Sequence, residues 1–280
     1  MEVYSIETGN FMVDGGAMFG IIPKTIWQKI YPANEKNLCN IAMRCLLVVD
    51  GDRRILIDNG TGDKQDENFF KYSYLNGDDT LEKSLAKYGF STDDITDVVM
   101  SHLHYDHCGG AVKWNNEKTG YQLNFKNADY WISKAQWDLF LNPNDREKSS
   151  FFDENVLPIK ESGRLRLIEK EQELFPNFEV RLFDGHTDGQ IIPLINYNGR
   201  IIVYASDLIP VVASIPLVYV SAYDVRPLIS IQEKEAFLEE ALENNYVLFF
   251  EHDLYNECCS LHRTNKGIRE KECFALAKLK

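Results

Sequence analysis

Six histidines occur in 280 residues, and three of them stand in one hexapeptide, His102-Leu103-His104-Tyr105-Asp106-His107. Neutral imidazoles and carboxylates suit Zn²⁺, Fe or Mn²⁺ better than Ca²⁺ or Mg²⁺ alone. In an extended segment residues 102 and 104 project to the same side, so two imidazoles can grip one cation. Where the chain then turns, Asp106 and His107 can address a second cation nearby. Two further histidines follow strand-like runs: His186 in Asp184-Gly185-His186-Thr187, and His252 in Glu251-His252-Asp253. Asp207 ends the run IIVYASD in the same manner. Strand ends are where α/β folds place chemistry, so these side chains are candidates to converge. His262 falls in what reads as a polar tail and has no place in the set.

The elements that must hold these residues read as strands, then helix, twice over. Residues 3–8 and 41–49 are strand candidates, Asp50-Gly51 a hairpin turn, and 54–58 the returning strand. The glycine-rich segment 14–20 breaks the period, and Pro23 opens a helical turn that extends to residue 30. Leu81, Leu85 and Tyr88 fall on one helical stripe that Gly89 stops. Residues 98–100 are a strand that delivers His102, and 129–132 another, followed by a helix that Ser133 caps. The stretch 142–163 reads as a long loop or helical excursion over a site. Strands return at 165–168, 178–183, 191–197 and 200–205, with a helix over 230–244 and a last strand at 247–250. No composition break divides the chain, so a single domain spanning residues 1–280 is expected.

Composition narrows the class. A net charge of -13 disfavours a nucleic-acid partner. No apolar run approaches the ~18 residues of a spanning helix, so no membrane partner is expected. The start lacks a basic segment followed by an apolar one, and the six cysteines form no disulfide framework, so thiols and a cytoplasmic location are expected. The expected partner is a small-molecule substrate; oligomeric state is left open.

Together, SHLHYDHCGG at 101–110, DGH at 184–186, SDLIP at 206–210 and EHD at 251–253 resemble the metallo-β-lactamase superfamily. DGGAMFGIIPK at 14–24 and IDNG at 57–60 support the likeness. Within that superfamily the chain is similar to metallo-hydrolases akin to N-acyl-homoserine lactonases and methyl parathion hydrolase. The resemblance implies an α/β fold, a four-layer αβ/βα sandwich of two mixed sheets flanked by helices. It implies two divalent ions, zinc first, with iron, manganese or cobalt as alternatives. His102, His104 and His186 would form one site, Asp106, His107 and His252 the other, and Asp207 would bridge them. Asp58 would orient a ligand imidazole; capping of the IDNG turn is the alternative role. Two such ions carry +4, and Asp106, Asp207 and a hydroxide remove three, leaving about +1 to meet a developing oxyanion.

The activity so implied is hydrolysis: a metal-bridged hydroxide attacks a lactone or ester carbonyl, and protonated Asp106 or the second ion helps the alkoxide leave. N-acyl-homoserine lactones are the first substrates suggested. The lactonases use a tyrosine three positions after the bridging aspartate, where this chain has Pro210. Tyr105 and Tyr223 are the phenols that could replace it, with core packing as the alternative for each. Met18, Phe19 and Trp137 could wall a pocket for an acyl chain or simply pack. A phosphotriester or phosphodiester hydrolase would use the same ions on phosphorus, and a non-catalytic metal-binding protein is the remaining rival. A superfamily nuclease would need a basic exosite, and a flavodiiron-type protein would carry Glu in place of His104.

Overall fold

The computed structural model describes residues 1–279. In chain order it contains β1 (Glu2–Asp14), α1 (Gly15–Phe19), α2 (Lys24–Trp27), β2 (Leu38–Asp50), β3 (Arg53–Ile57), α3 (Glu67–Ser73), α4 (Leu81–Lys87) and β4 (Asp97–Val99). Next come α5 (Tyr105–Cys108), β5 (Val112–Trp114), β6 (Tyr121–Leu123), β7 (Asp129–Ser133), α6 (Lys134–Leu141), α7 (Asp153–Glu161), β8 (Leu165–Ile168) and β9 (Gln172–Phe175). The remainder is β10 (Phe178–Phe183), β11 (Gln190–Tyr197), β12 (Arg200–Tyr204), α8 (Pro227–Glu243), β13 (Val247–Phe249), β14 (Cys258–Thr264) and β15 (Gly267–Phe274).

Two mixed sheets carry these elements. One has the order β1-β2-β3-β4-β7-β8 and the other β15-β14-β13-β12-β11-β10-β9, while β5 and β6 form a small separate hairpin. The chain divides into two compact units, Met1–Gly9 with Met43–Lys170, and Asn10–Ala42 with the residues from Glu171 onward.

In the first unit β2 and β3 pair antiparallel, whereas β3, β4, β7 and β8 run parallel. Parallel strands need crossovers, which α4 and α6 supply with their apolar faces. Leu81, Leu85, Trp137 and Phe140 from these helices join Leu47, Leu56, Val98, Tyr130 and Ile132 in one buried cluster. Local chemistry sets the helix ends, as expected at Ser133 and Gly89. Thr80 Oγ1 accepts from Lys83 N at 3.3 Å, Ser133 Oγ from Gln136 N at 3.1 Å, and Gly89 takes φ +81° just after α4.

The second unit is antiparallel except for β12 and β13. Helix α8 opens on Pro227 and buries Phe237, Leu238 and Ala241 with Leu248, Cys259 and Ile268.

Two sequence expectations change, and two elements fill stretches that were left open. The segment around His262, read as a polar tail, belongs to the β14–β15 hairpin, which lies at the sheet edge where one face meets water, so its outer residues read as polar. The glycine-rich break at 15–19 is a short helix that Asp14 caps by accepting from Ala17 N at 3.0 Å. Within 142–163 the chain takes the helical alternative and forms α7, with Pro158 inside it, and residues 172–175, for which no element was expected, form β9, which carried no alternating pattern. Among the described residues no helix is long and apolar enough to cross a membrane.

Leu56, fully buried in β3, should cost about 2–5 kcal/mol when changed to Ala. Ile21, 88% exposed, should cost under about 0.5 kcal/mol on the same change. Urea denaturation of the two variants measures the difference.

Candidate metal centre

In the first unit β4 ends at Val99, and Met100 N still bonds Trp131 O at 3.0 Å before the chain leaves the sheet. Leu103 points into the core, with its N–H on the buried Gln136 side chain at 3.2 Å, so His102 and His104 share the other side. The chain then turns: His107 N and Cys108 N both bond His104 O at 3.1 Å. That turn returns His107 to His102. Ring centroids lie 3.9 Å apart for His102 and His107, and 4.5 Å for His102 and His104. Asp106 Oδ2 stands 3.7 Å from His107 Nε2. Three imidazoles this close cannot all be protonated without strong mutual repulsion, so the cluster suits a shared cation.

Asp58 organises this half from below. It is buried in a left-handed conformation, φ +57°, tolerated by Asp better than by most residues and found where function holds the backbone. Its carboxylate accepts from Ser101 N at 2.6 Å, from Ser101 Oγ at 2.7 Å and from His107 Nδ1 at 3.1 Å. With its own proton on Asp58, the Ser101 hydroxyl accepts from His102 Nδ1 at 3.0 Å. Both imidazoles are therefore protonated on Nδ1 and basic on Nε2. Gly109 and Gly110 let the 59–62 backbone lie against the motif: a Cβ at either would meet a carbonyl oxygen, of Thr61 at 2.0 Å or Asn59 at 2.1 Å. Cys108 is fully buried and its thiol is pushed up to about 12 by desolvation, so it packs rather than reacts.

In the second unit β12 and β13 are parallel neighbours with Tyr204 opposite Phe249. Three residues beyond each lie Asp207 and His252, and this register brings them together. Asp207 Oδ1 is 3.1 Å from His252 Nε2, and Asp207 Oδ2 is 3.1 Å from His186 Nε2. The far nitrogens face acceptors: His252 Nδ1 lies 2.9 Å from Ala42 O, and His186 Nδ1 lies 3.0 Å from Asp224 Oδ1. A neutral imidazole has one N–H. Once Nδ1 donates, each Nε2 directs a lone pair at a carboxylate oxygen, an arrangement that requires positive charge between them. Two donors about 2.1 Å from a common ion stand ~3 Å apart, so the spacing fits a metal.

The loop bearing His186 is tied to α8. Asp184 N and Gly185 N donate to Glu233 at 2.8 and 2.9 Å, and burial holds the Glu233 carboxyl above its usual range. Lys234, buried on the same helix, donates to the carbonyls of Ser214, Pro216 and Tyr219 at 3.0, 3.2 and 3.0 Å. These bonds brace the segment that ends at Asp224.

Each unit thus gathers its own share of the expected donors: His102, His104, Asp106 and His107 over Asp58 in the first, His186, Asp207 and His252 in the second. Tyr105 packs its ring on Phe69 at 4.9 Å and Phe152 at 5.8 Å, and Tyr223 is 48% exposed. Met18, Phe19 and Trp137 are buried; Phe19 stacks on Trp27 at 5.1 Å, and Trp137 lies 5.6 Å from Phe140. Sequence reasoning passed over Ser101, Asp224 and Glu147. Ser101 adjoins the motif and could have been found there, whereas nothing in linear spacing ties residue 224 to 186 or 147 to 104.

Residues 44–252, most of the chain, match the sequence profile of the Metallo-beta-lactamase superfamily. The chain belongs to the metallo-β-lactamase superfamily. As a hydrolase of that superfamily it has the α/β fold with mixed sheets and helices that the motifs implied. A probable metal-dependent hydrolase from Staphylococcus aureus is similar at 30% identity with a TM-score of 0.88, covering 98% of each chain. AidC, a dizinc quorum-quenching lactonase in complex with a product, shares the fold at 23% identity and a TM-score of 0.78, over 98% of this chain and 95% of that one. The N-acyl homoserine lactonase of Bacillus cereus is 23% identical over 198 residues, 67% of each chain.

Burial lowers the Lys234 ammonium to about 8 from 10.5. Between those values the unfolded chain binds the extra proton, so folding stability contributed by this group rises with pH and is lost as pH falls through about 8. The wild type minus Lys234→Met difference in unfolding free energy should therefore climb from pH 7 to pH 10; a flat difference would contradict the assignment.

Proposed function

We propose that this hydrolase binds two divalent cations, zinc first, and opens lactones or esters at the carbonyl, with N-acyl-homoserine lactones as leading substrates. His102, His104 and His186 would hold one ion, Asp106, His107 and His252 the other, and Asp207 both. The observation that carries the reading is the Asp207 carboxylate set 3.1 Å from two imidazole nitrogens whose rings already donate elsewhere. The similarity to the Bacillus cereus lactonase and the shared fold with AidC support the substrate class. When bound, the ions supply Lewis acidity and bring the pKa of a coordinated water from about 15.7 toward 7.

The chain's own groups do the positioning. Asp58, Ser101, Asp224 and the Ala42 carbonyl fix the imidazole tautomers, so the donor atoms need no reorganisation. Asp106, more open than the fully buried Asp58, would pass a proton to a departing alkoxide. Tyr105, held edge-on by Phe69 and Phe152, is our choice for the phenol that stands in for the residue lost at Pro210, with Tyr223 second. Met18, Phe19 and Trp137 would back an acyl-binding wall from the core. Cysteine spacing without a disulfide framework favours a cytoplasmic site of action.

Metal analysis with a hydrolysis panel tests the reading. Lactone turnover should exceed that of aryl esters and phosphotri- or phosphodiesters at least tenfold; preferential phosphotriester cleavage would replace it, and no turnover with both ions bound would point to a binding protein. His104→Ala should lose one ion and all measurable turnover. Tyr105→Phe should lower kcat by ~10²-fold at unchanged KM; an unchanged kcat would remove Tyr105 from the chemistry.

A further inference from the structure

A cavity of about 590 Å³ lies within the first unit, and none of the proposed metal ligands lines it. Three buried side chains that do line it converge on the Gly109–Gly110 backbone. Lys64, 6% exposed, donates to Gly109 O, and Asn124, 5% exposed, donates from Nδ2 to Gly110 O at 3.0 Å. Asn59, 1% exposed, sets its Oδ1 3.3 Å from where a Cβ on Gly110 would stand. Trp114 Nε1 donates to Lys64 O at 3.1 Å and so fixes the segment that carries the lysine.

The fold does not use up these polar groups. Among the described residues, neither the nitrogen nor the oxygen of the Asn59 amide has a hydrogen-bond partner, and Asn124 Oδ1 has none either. The Lys64 ammonium has three N–H bonds and a single acceptor among the described residues, Gly109 O. Burying polar groups without partners is costly, so a set of them around one cavity points to an occupant that answers them. Desolvation pulls the Lys64 ammonium down to about 8, which leaves it mostly charged at neutral pH.

Charge selects the occupant. Lys64, Lys113 and Lys118 line the cavity against Asp63 and Glu82, a local excess of positive charge on a chain whose net charge is -13. Both carboxylates are exposed, whereas Lys64 is buried beside the open amides.

We propose that this cavity is a second ligand site, separate from the metal centre, for a small hydroxylated anion whose carboxylate or phosphate group meets Lys64 and whose hydroxyls bond the open amides of Asn59 and Asn124. The volume suits a molecule of sugar size. The inference holds with or without the hydrolytic reading, because no step of it uses a metal ion.

Isothermal titration of the full-length, metal-loaded protein with gluconate, glucose 6-phosphate and glucose tests the site. One of the two anions should bind, and glucose should bind ~10-fold more weakly or not at all. The tighter of the two names the charged group, carboxylate or phosphate. Lys64→Met and Asn59→Asp, which keeps the shape of the amide but repels an anion, should each weaken that binding ~10–100-fold. Asn59→Leu should lose the ligand yet melt no lower than the wild type, because the amide it removes gives up no internal bond. Undiminished binding in either Lys64→Met or Asn59→Asp would place the anion elsewhere, at the metal centre for example, and overturns the proposal. No binding of either anion up to ~10 mM, or glucose bound as tightly as both, overturns it as well.

Discussion

A carboxylate set between two imidazoles is stable only if something positive lies among them, and the second unit is folded around that condition. Asp207 divides its two oxygens between His186 and His252 at 3.1 Å each. Both rings have their other nitrogen committed, one to Asp224 and one to the Ala42 carbonyl. Protonating both imidazoles would answer the geometry by burying two charges, whereas a cation answers it with the neutral tautomers that the partners already select. The parallel pairing of β12 with β13 carries Asp207 and His252 to one edge in register, and Glu233 with Lys234 anchors the segments that bring in His186 and Asp224.

The first unit meets the same demand with different parts. Its three imidazoles come from a single turn, so closeness follows from chain geometry, and orientation is left to Asp58 and Ser101. That turn is possible only because Gly109 and Gly110 admit the 59–62 backbone, and because Leu103 locks the alternate face into the core. Stability and function are therefore joined at the level of backbone packing.

Much of this was legible in the sequence because the signals were local. The HxHxDH spacing encodes its own turn, Ser133 and Gly89 mark a helix start and a helix stop by residue chemistry, and the strand ends at 184, 207 and 252 were visible as apolar runs closing on polar residues. The orienting partners were not legible. Asp224 meets His186 and Glu147 meets His104 through loops whose course depends on tertiary packing, and no periodicity reports such pairs. The β14–β15 hairpin was missed for a related reason. At a sheet edge with one wet face, the outward residues, His262 among them, carry a composition indistinguishable from that of a tail.

The central claim is that Asp207 is shared by two metal ions. Anomalous diffraction at the zinc edge, from crystals grown with the ion present, tests it most directly. The account predicts two peaks roughly 3.5–4 Å apart, each within bonding distance of one Asp207 oxygen. A single peak, or two peaks with Asp207 turned away from both, would contradict it.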